Sequence, residues 1–200
     1  SPSVLVVPPG KGMKNVAELV SAAKARPDAF NFSSVGVGSA THLSAERFVS
    51  SAGVRAQHIP FKGGAEAMTE VIAGRADFFF GPVALVLPHV RDGRLAALAV
   101  NTDRRSPALP GVPTLHESGV RNAEYPIWFA LFAPAKTPRE IVERLNRETL
   151  KALQAPKVRE KLAGFGVDPM PMTPEQLASY VEREVALNAA LAQQAGLKAE

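Results

Sequence analysis

The feature that most restricts this chain is an alternation along its first two thirds, where short apolar runs are followed by longer amphipathic ones. That pattern implies strand-helix units, a largely parallel sheet and helices on its faces, so the fold class is read as α/β. Val4 to Val7 reads as a strand. Asn15 followed by Glu18 forms an Asn variant of a capping box and opens a helix through Leu19 and Ala23, which Pro27 closes. Further strands are expected at Phe30 to Ser34, Gln57 to Phe61, the apolar end of ADFFF, and Leu95 to Asn101. The helices between them are expected to end near Gly53, near Gly74 as a C-cap, and across VALVLPHVRDG, with a kink near Pro88.

Beyond Asn101 the composition changes. SPALPGVPTLHESG is dense in proline and glycine and reads as a connector or hinge. EYPIWFALFAP then reads as a long strand, and TPRE as a helix start with Thr137 as N-cap, Pro138 at the first position and Glu140 at the third. The helix IVERLNRETLKAL, a shorter one over KVREKLAGFG, and a terminal helix capped by Thr173 and Gln176 complete the expectation.

Composition removes several classes of function. No apolar run approaches the roughly 20 residues that cross a bilayer. The opening SPSVLVVPPGKG carries no basic segment, apolar core and small-residue cleavage site in sequence, so no secretory leader is read in it. A net charge of +4 with a pI near 9.6 raises nucleic acid as a partner. Its distribution argues against one, because Lys and Arg alternate with Glu along VERLNRETLKAL and VREKL, and aromatics make up only 6% of the chain. The absence of cysteine excludes disulfides, thiol catalysis and thiolate metal sites.

The richest stretch lies between an expected strand and helix, from Ser33 through Gly36, Gly38, Ser39, Ala40 and Thr41 to His42. Glycines let the main chain turn at positive φ and let a ligand approach it, and the first helical turn supplies unpaired N–H donors. The hydroxyls of Ser34, Ser39 and Thr41 add possible donors. The plainer alternative is a glycine turn with Ser39 capping the helix. A second loop of the same kind, Lys62, Gly63, Gly64 and Ala65, ends the next strand. Parallel sheets bind ligands beyond the carboxyl ends of their strands, so both loops are expected on one edge, suited to a carboxylate or phosphate.

Enzymatic signatures are missing. There is no GxxxxGK[ST]; GxGxxG fails because Thr41 stands at its third place; and Ser39 does not sit in GxSxG. No cofactor is expected. His42, His58, His89 and His116 are spread singly without metal-ligand spacing and read as capping, surface or packing residues, with Glu46 four residues after His42. Asp77 reads as solvated, or else as orienting a loop or facing the cleft, and Tyr125 and Trp128 as packing residues, with lining of the cleft as the alternative.

NFSSVGVGSATHLSAERF, HIPFKGGAEAMTEVIAGRADFFFGPV, LPHVRDGRLAALAVNTDRRSPALPGVPTLHESG and WFALFAPAKTP, in that order, resemble the tripartite tricarboxylate transporter receptors, the Bug or TctC-like family. The resemblance implies a two-lobed, type II periplasmic-binding-protein-like fold. It also implies a non-enzymatic receptor that closes on a small carboxylate, a di- or tricarboxylate or an amino acid, and passes it to membrane transporter subunits. It places the ligand-facing loops at Ser34 to Thr41 and Gly63 to Ala65, with Phe80, Gly81 and Pro82 as a third, weaker candidate.

The expected organisation is then one complete lobe at 1–104, a connector at 105–120, and part of the other lobe at 121–200. Family members carry a further segment before this point, so the chain is read as truncated, with exposed apolar faces after residue 121 favouring a homodimer or domain swap. Two other readings stay open: an α/β enzyme acting on a carboxylate or phosphate ester through Lys62 or His42, and a ligand-sensing regulatory domain.

Overall fold

The structure is a computed structural model and describes residues 1–194 and 196. The first strand, β1 (Ser3–Val7), leads through a 3-10 turn at Pro9–Lys11 into α1 (Val16–Ala25). The units β2 (Asn31–Ser34) with α2 (Ala40–Ala52), β3 (Gln57–Pro60) with α3 (Gly64–Ile72), and β4 (Phe78–Pro82) with α4 (Val83–Arg91) follow, and β5 (Ala96–Val100) ends the alternation. Local signals place these ends well. Asn15 Oδ1 accepts from Glu18 N–H at 2.9 Å while the Glu18 carboxylate accepts from Lys14 N–H at 2.7 Å, so the expected cap forms. Gly53, at φ +60°, closes α2 in the left-handed region.

The five strands lie in the order β3-β2-β4-β1-β5. β2 pairs in parallel with β3 and β4, whereas β1 pairs antiparallel with β4 and β5. Four strands therefore point one way, and the largely parallel expectation acquires one reversed strand wedged between β4 and β5. Strand-helix alternation fixes the parallel crossovers, but β1 enters the sheet before the first of them.

Period-2 alternation divides the core. Leu5, Val7, Phe32, Phe78 and Phe80 face α1 and α2, packing with Leu19 and Phe48. Val4, Val6, Phe79 and Val100 face α3 and α4, packing with Met68, Val71 and Val86. Strands covered on both faces are apolar without interruption, which explains SVLVV and FFF. β3 is an edge strand, and it tolerates Pro60 for that reason.

The proline-rich connector is laid along the free side of β5, with Val100 N–H donating to Pro113 O at 2.9 Å and Leu115 N–H to Val100 O at 3.0 Å. The chain then returns to three helices, α5 (Arg139–Gln154), α6 (Pro156–Gly164) and α7 (Pro174–Gln194), of which α7 packs on α2. The predicted long strand at EYPIWFALFAP is not a strand. Tyr125 N–H reaches Asn101 O, and Ile127 exchanges bonds with Ser1, but no main-chain group among the described residues pairs with the backbone of residues 128–132. Apolar alternation provides propensity, and a strand still needs a hydrogen-bonding neighbour. Phe129, Leu131 and Phe132 are consequently exposed.

The N-cap expected at Thr137 is also displaced. Thr137 N–H closes a turn onto Pro134 O and Pro138 stays extended at ψ 139°, so α5 begins one residue later without a side-chain cap. The Thr173 and Gln176 cap of α7 forms as expected, with reciprocal bonds of 2.9 and 3.2 Å.

Candidate functional site

Because β2, β3 and β4 run in one direction, their carboxyl ends and the starts of α2, α3 and α4 gather on a single sheet edge. The first two predicted loops are adjacent there. Phe61 N–H bonds Ser34 O at 2.9 Å, and a Cβ placed on Gly64 lies 3.8 Å from Val35. Gly36 and Gly38 adopt φ of +121° and +73°, values that L side chains rarely reach, and no neighbouring atom lies within 4 Å of a Cβ built on Gly38.

The loop hydroxyls are committed within the protein. Ser34 is fully buried, and its Oγ lies 2.6 Å from His58 Nε2 while accepting from Gly36 N–H. Thr41 Oγ1 accepts from Val35 N–H at 3.0 Å. Ser39 caps α2 by accepting from His42 N–H at 3.3 Å, and it donates to Gly36 O at 2.7 Å. The glycine turn with a capping serine and the donor-rich loop are thus one structure. The N–H groups of Ala40 and Thr41, and of Gly64 and Ala65, begin their helices without a protein acceptor among the described residues. Gly38 N–H does have one, the imidazole of His42 at 3.0 Å.

The third loop is arranged differently. Gly81 is buried, and a Cβ there falls 2.4 Å from Val86 and 2.7 Å from Phe79. Val83, just beyond half-buried Pro82, is overlaid by Gly166, whose own Cβ position lies 3.2 Å away. Close approach at Gly81 and Val83 is therefore made by the protein's own chain, unlike the open surface at Gly38.

The exposed side chain of Lys62 lies beside the site, with its N–H on the Glu66 carboxylate at 3.2 Å. His42 is 1% exposed, with Nδ1 on Gly38 and Nε2 facing Glu46, so no substrate reaches it. Asp77 sits at the opposite edge, where its carboxylate takes Lys11 Nζ and Asn31 N–H and pins β2 to β4. Tyr125 and Trp128 bind α7, through Asn188 Oδ1 at 2.6 Å and Glu184 Oε2 at 3.0 Å. Burial raises the Tyr125 hydroxyl to about 12. No group of three or more metal-ligating side chains, and no helix long and apolar enough to cross a membrane, occurs among the described residues.

Two features escaped the sequence. One is the stacking of His42 on His58, 16 positions apart and joined only when β3 lies beside β2. The other is Asn101, fully buried, which holds Ser3 N–H, Ser44 Oγ and Tyr125 O together where the chain crosses at the site edge. Its only signal in the sequence is a polar residue closing an apolar strand.

A sheet of this order, with helices on both faces and donor loops at the carboxyl edge, defines a type II periplasmic-binding-protein-like lobe. The chain belongs to the tripartite tricarboxylate transporter family receptors, whose sequence profile matches residues 1–197. It is 37% identical over 184 residues to a UPF0065 protein from the tcbD-tcbE intergenic region of Pseudomonas sp. strain P51, covering 92% of this chain and 55% of that protein. With the protein BugT of Bordetella pertussis it shares 34% identity, over 98% of this chain and 60% of that one. Among solved structures, it superposes on R. palustris Rpa4515 with adipate at a TM-score of 0.87 and 32% identity, covering 98% of this chain and 65% of that one. MatC from Rhodopseudomonas palustris with bound malate gives 0.83 at 28% identity, over 95% and 66%. The chain thus spans between about half and two thirds of the length of these proteins.

Proposed function

We propose that this chain is the larger part of an extracytoplasmic solute receptor that captures a small carboxylate and delivers it to the membrane subunits of a tripartite tricarboxylate transporter. The observation that carries the reading is the pair of adjacent helix starts, at Ala40 and Gly64, whose free N–H groups share an open edge while every nearby hydroxyl is engaged internally. Such a surface binds charge through main-chain dipoles and performs no chemistry. The solved relatives with adipate and malate support a carboxylate as the solute. The ligand-facing residues are Gly36, Gly38, Ala40 and Thr41 with Gly63, Gly64 and Ala65; Ser34 and Ser39 shape the first loop, and Gly81 and Pro82 contribute less.

An enzyme reading needs an acid or base at this edge; His42 is sealed beneath the loop, which leaves only the exposed Lys62 of the two residues named for it. Thermal shift and calorimetry with adipate, malate and citrate test the proposal. A saturable shift with the ligand recovered intact supports a receptor; consumption of the ligand overturns it.

A further inference from the structure

Two imidazoles lie stacked beneath the Ser34–Ser39 loop, and carboxylate capture by main-chain donors uses neither. His42, on the first turn of α2, is 1% exposed, and His58, on the edge strand β3, is half-buried. Their ring centroids are 3.6 Å apart with the planes inclined by only 11°. Phe32 stacks against both, at 5.9 Å from His42 and 5.1 Å from His58.

Each ring holds one stem of the loop. Gly38 N–H donates to His42 Nδ1 at 3.0 Å, and His58 Nε2 lies 2.6 Å from the Ser34 hydroxyl that receives Gly36 N–H. An imidazole nitrogen that accepts a hydrogen bond carries no proton. His42 is therefore the tautomer with its proton on Nε2, directed toward Glu46 Oε1 at 3.5 Å. An apolar residue would fill this volume equally well, but only an acceptor at that point satisfies the N–H of a glycine held at φ +73°.

We infer that His42 is a positioning residue of the ligand loop, and that the loop keeps its ligand-holding shape only while the His42–His58 stack is neutral. The consequence for affinity rests on the carboxylate reading above. A proton on His42 Nδ1 sets one donor against another, so the Gly36–Gly38 segment must leave its place. A proton on His58 puts a cation against the neighbouring ring in a partly desolvated site. Among the described residues, the ionisable groups that act on His58 are His42, which disfavours a proton there, and Glu46 from α2, which favours one and lies 3.5 Å from His42 Nε2. Burial, reinforced by His42, outweighs Glu46 and depresses His58 to about 4.

The test follows the Gly38 amide in the 15N-labelled chain from about pH 7.5 to about pH 4.5, with and without adipate. It compares the wild type with His42→Asn, whose Oδ1 stands in for Nδ1 but does not titrate, and with His42→Leu. In the wild type, the Gly38 resonance is expected to move on acidification, and the protection of its amide, taken against the intrinsic exchange rate at each pH, to fall. His42→Asn is expected to hold the resonance steady and to keep adipate affinity within about threefold at neutral pH. His42→Leu loses about tenfold or more at every pH. Taking wild type over His42→Asn at each pH cancels the protonation of adipate itself.

A Gly38 amide indifferent to pH and to residue 42 overturns the inference, as does one affinity profile shared by wild type and His42→Asn. If adipate, malate and citrate bind no variant, the carboxylate reading fails, while the Gly38 amide still decides the role of His42. Should His42→Leu not fold, the wild type and His42→Asn alone settle the question.

Discussion

Ser3 and Asn101 are joined twice: Ser3 N–H donates to the Asn101 side-chain oxygen at 2.7 Å, and Asn101 N–H donates to Ser3 O at 3.0 Å. The same carboxamide donates to Ser44 Oγ at 3.1 Å and to Tyr125 O at 2.5 Å, so one buried side chain ties the start of β1, the end of β5, α2 and the returning chain. Replacing it with Ala leaves the buried Ser3 N–H and the part-buried Tyr125 C=O without that partner. Asn101→Ala is expected to lose about 2–4 kcal/mol of stability, read from urea unfolding with an unchanged slope. A loss below about 0.5 kcal/mol would show that water replaces the clasp.

Substitution at the two loops separates backbone strain from crowding. Gly38→Val forces a β-branched residue to φ +73° with open space around it, whereas Gly64→Val drives Cβ to 2.7 Å from Leu85. Both are expected to weaken adipate binding by about tenfold or more, at a cost of about 1–3 kcal/mol in stability. Calorimetry beside thermal unfolding checks this; a variant that binds normally removes its loop from the site.

Acid stability depends on His58. Its proton affinity is lower in the folded chain, about 4 against an ordinary 6.5, so between those values the unfolded chain binds more protons. The stability that the neutral ring contributes is complete above about pH 6.5 and fades as the pH falls toward about 4. His58→Phe keeps the stack and removes the titration. Its stability is expected to fall less than that of the wild type across this window, by about 1–2 kcal/mol after allowance for a ring that is only half-buried. Parallel pH-stability curves would remove His58 as the source.

Phe48 fills the space between α2 and the sheet, edge-on to Phe78 at 5.8 Å and tilted against Phe80 at 5.7 Å. Phe48→Ala is expected to cost about 3–5 kcal/mol, visible in chemical denaturation. Its removal also undermines α2, so adipate affinity should fall with stability rather than independently of it.

What the sequence determined is local. The Asn15–Glu18 and Thr173–Gln176 caps, the glycine that ends α2 and the doubly buried strands each depend on residues within one helical turn or one strand, and they formed where the residues stand. The two donor loops and their common edge were legible too, because right-handed crossovers between parallel strands leave little freedom in where loops emerge. Only tertiary structure decided that β1 runs against its neighbours, that the apolar segment at 128–132 stays unpaired, and that Gly81 is closed in by the protein itself. It alone brought His42 to His58 and Asn101 to Ser3 and Tyr125. Those relationships join residues between 16 and 98 positions apart, where no periodicity or capping rule acts and only the packing of sheet, α2 and the returning chain makes neighbours.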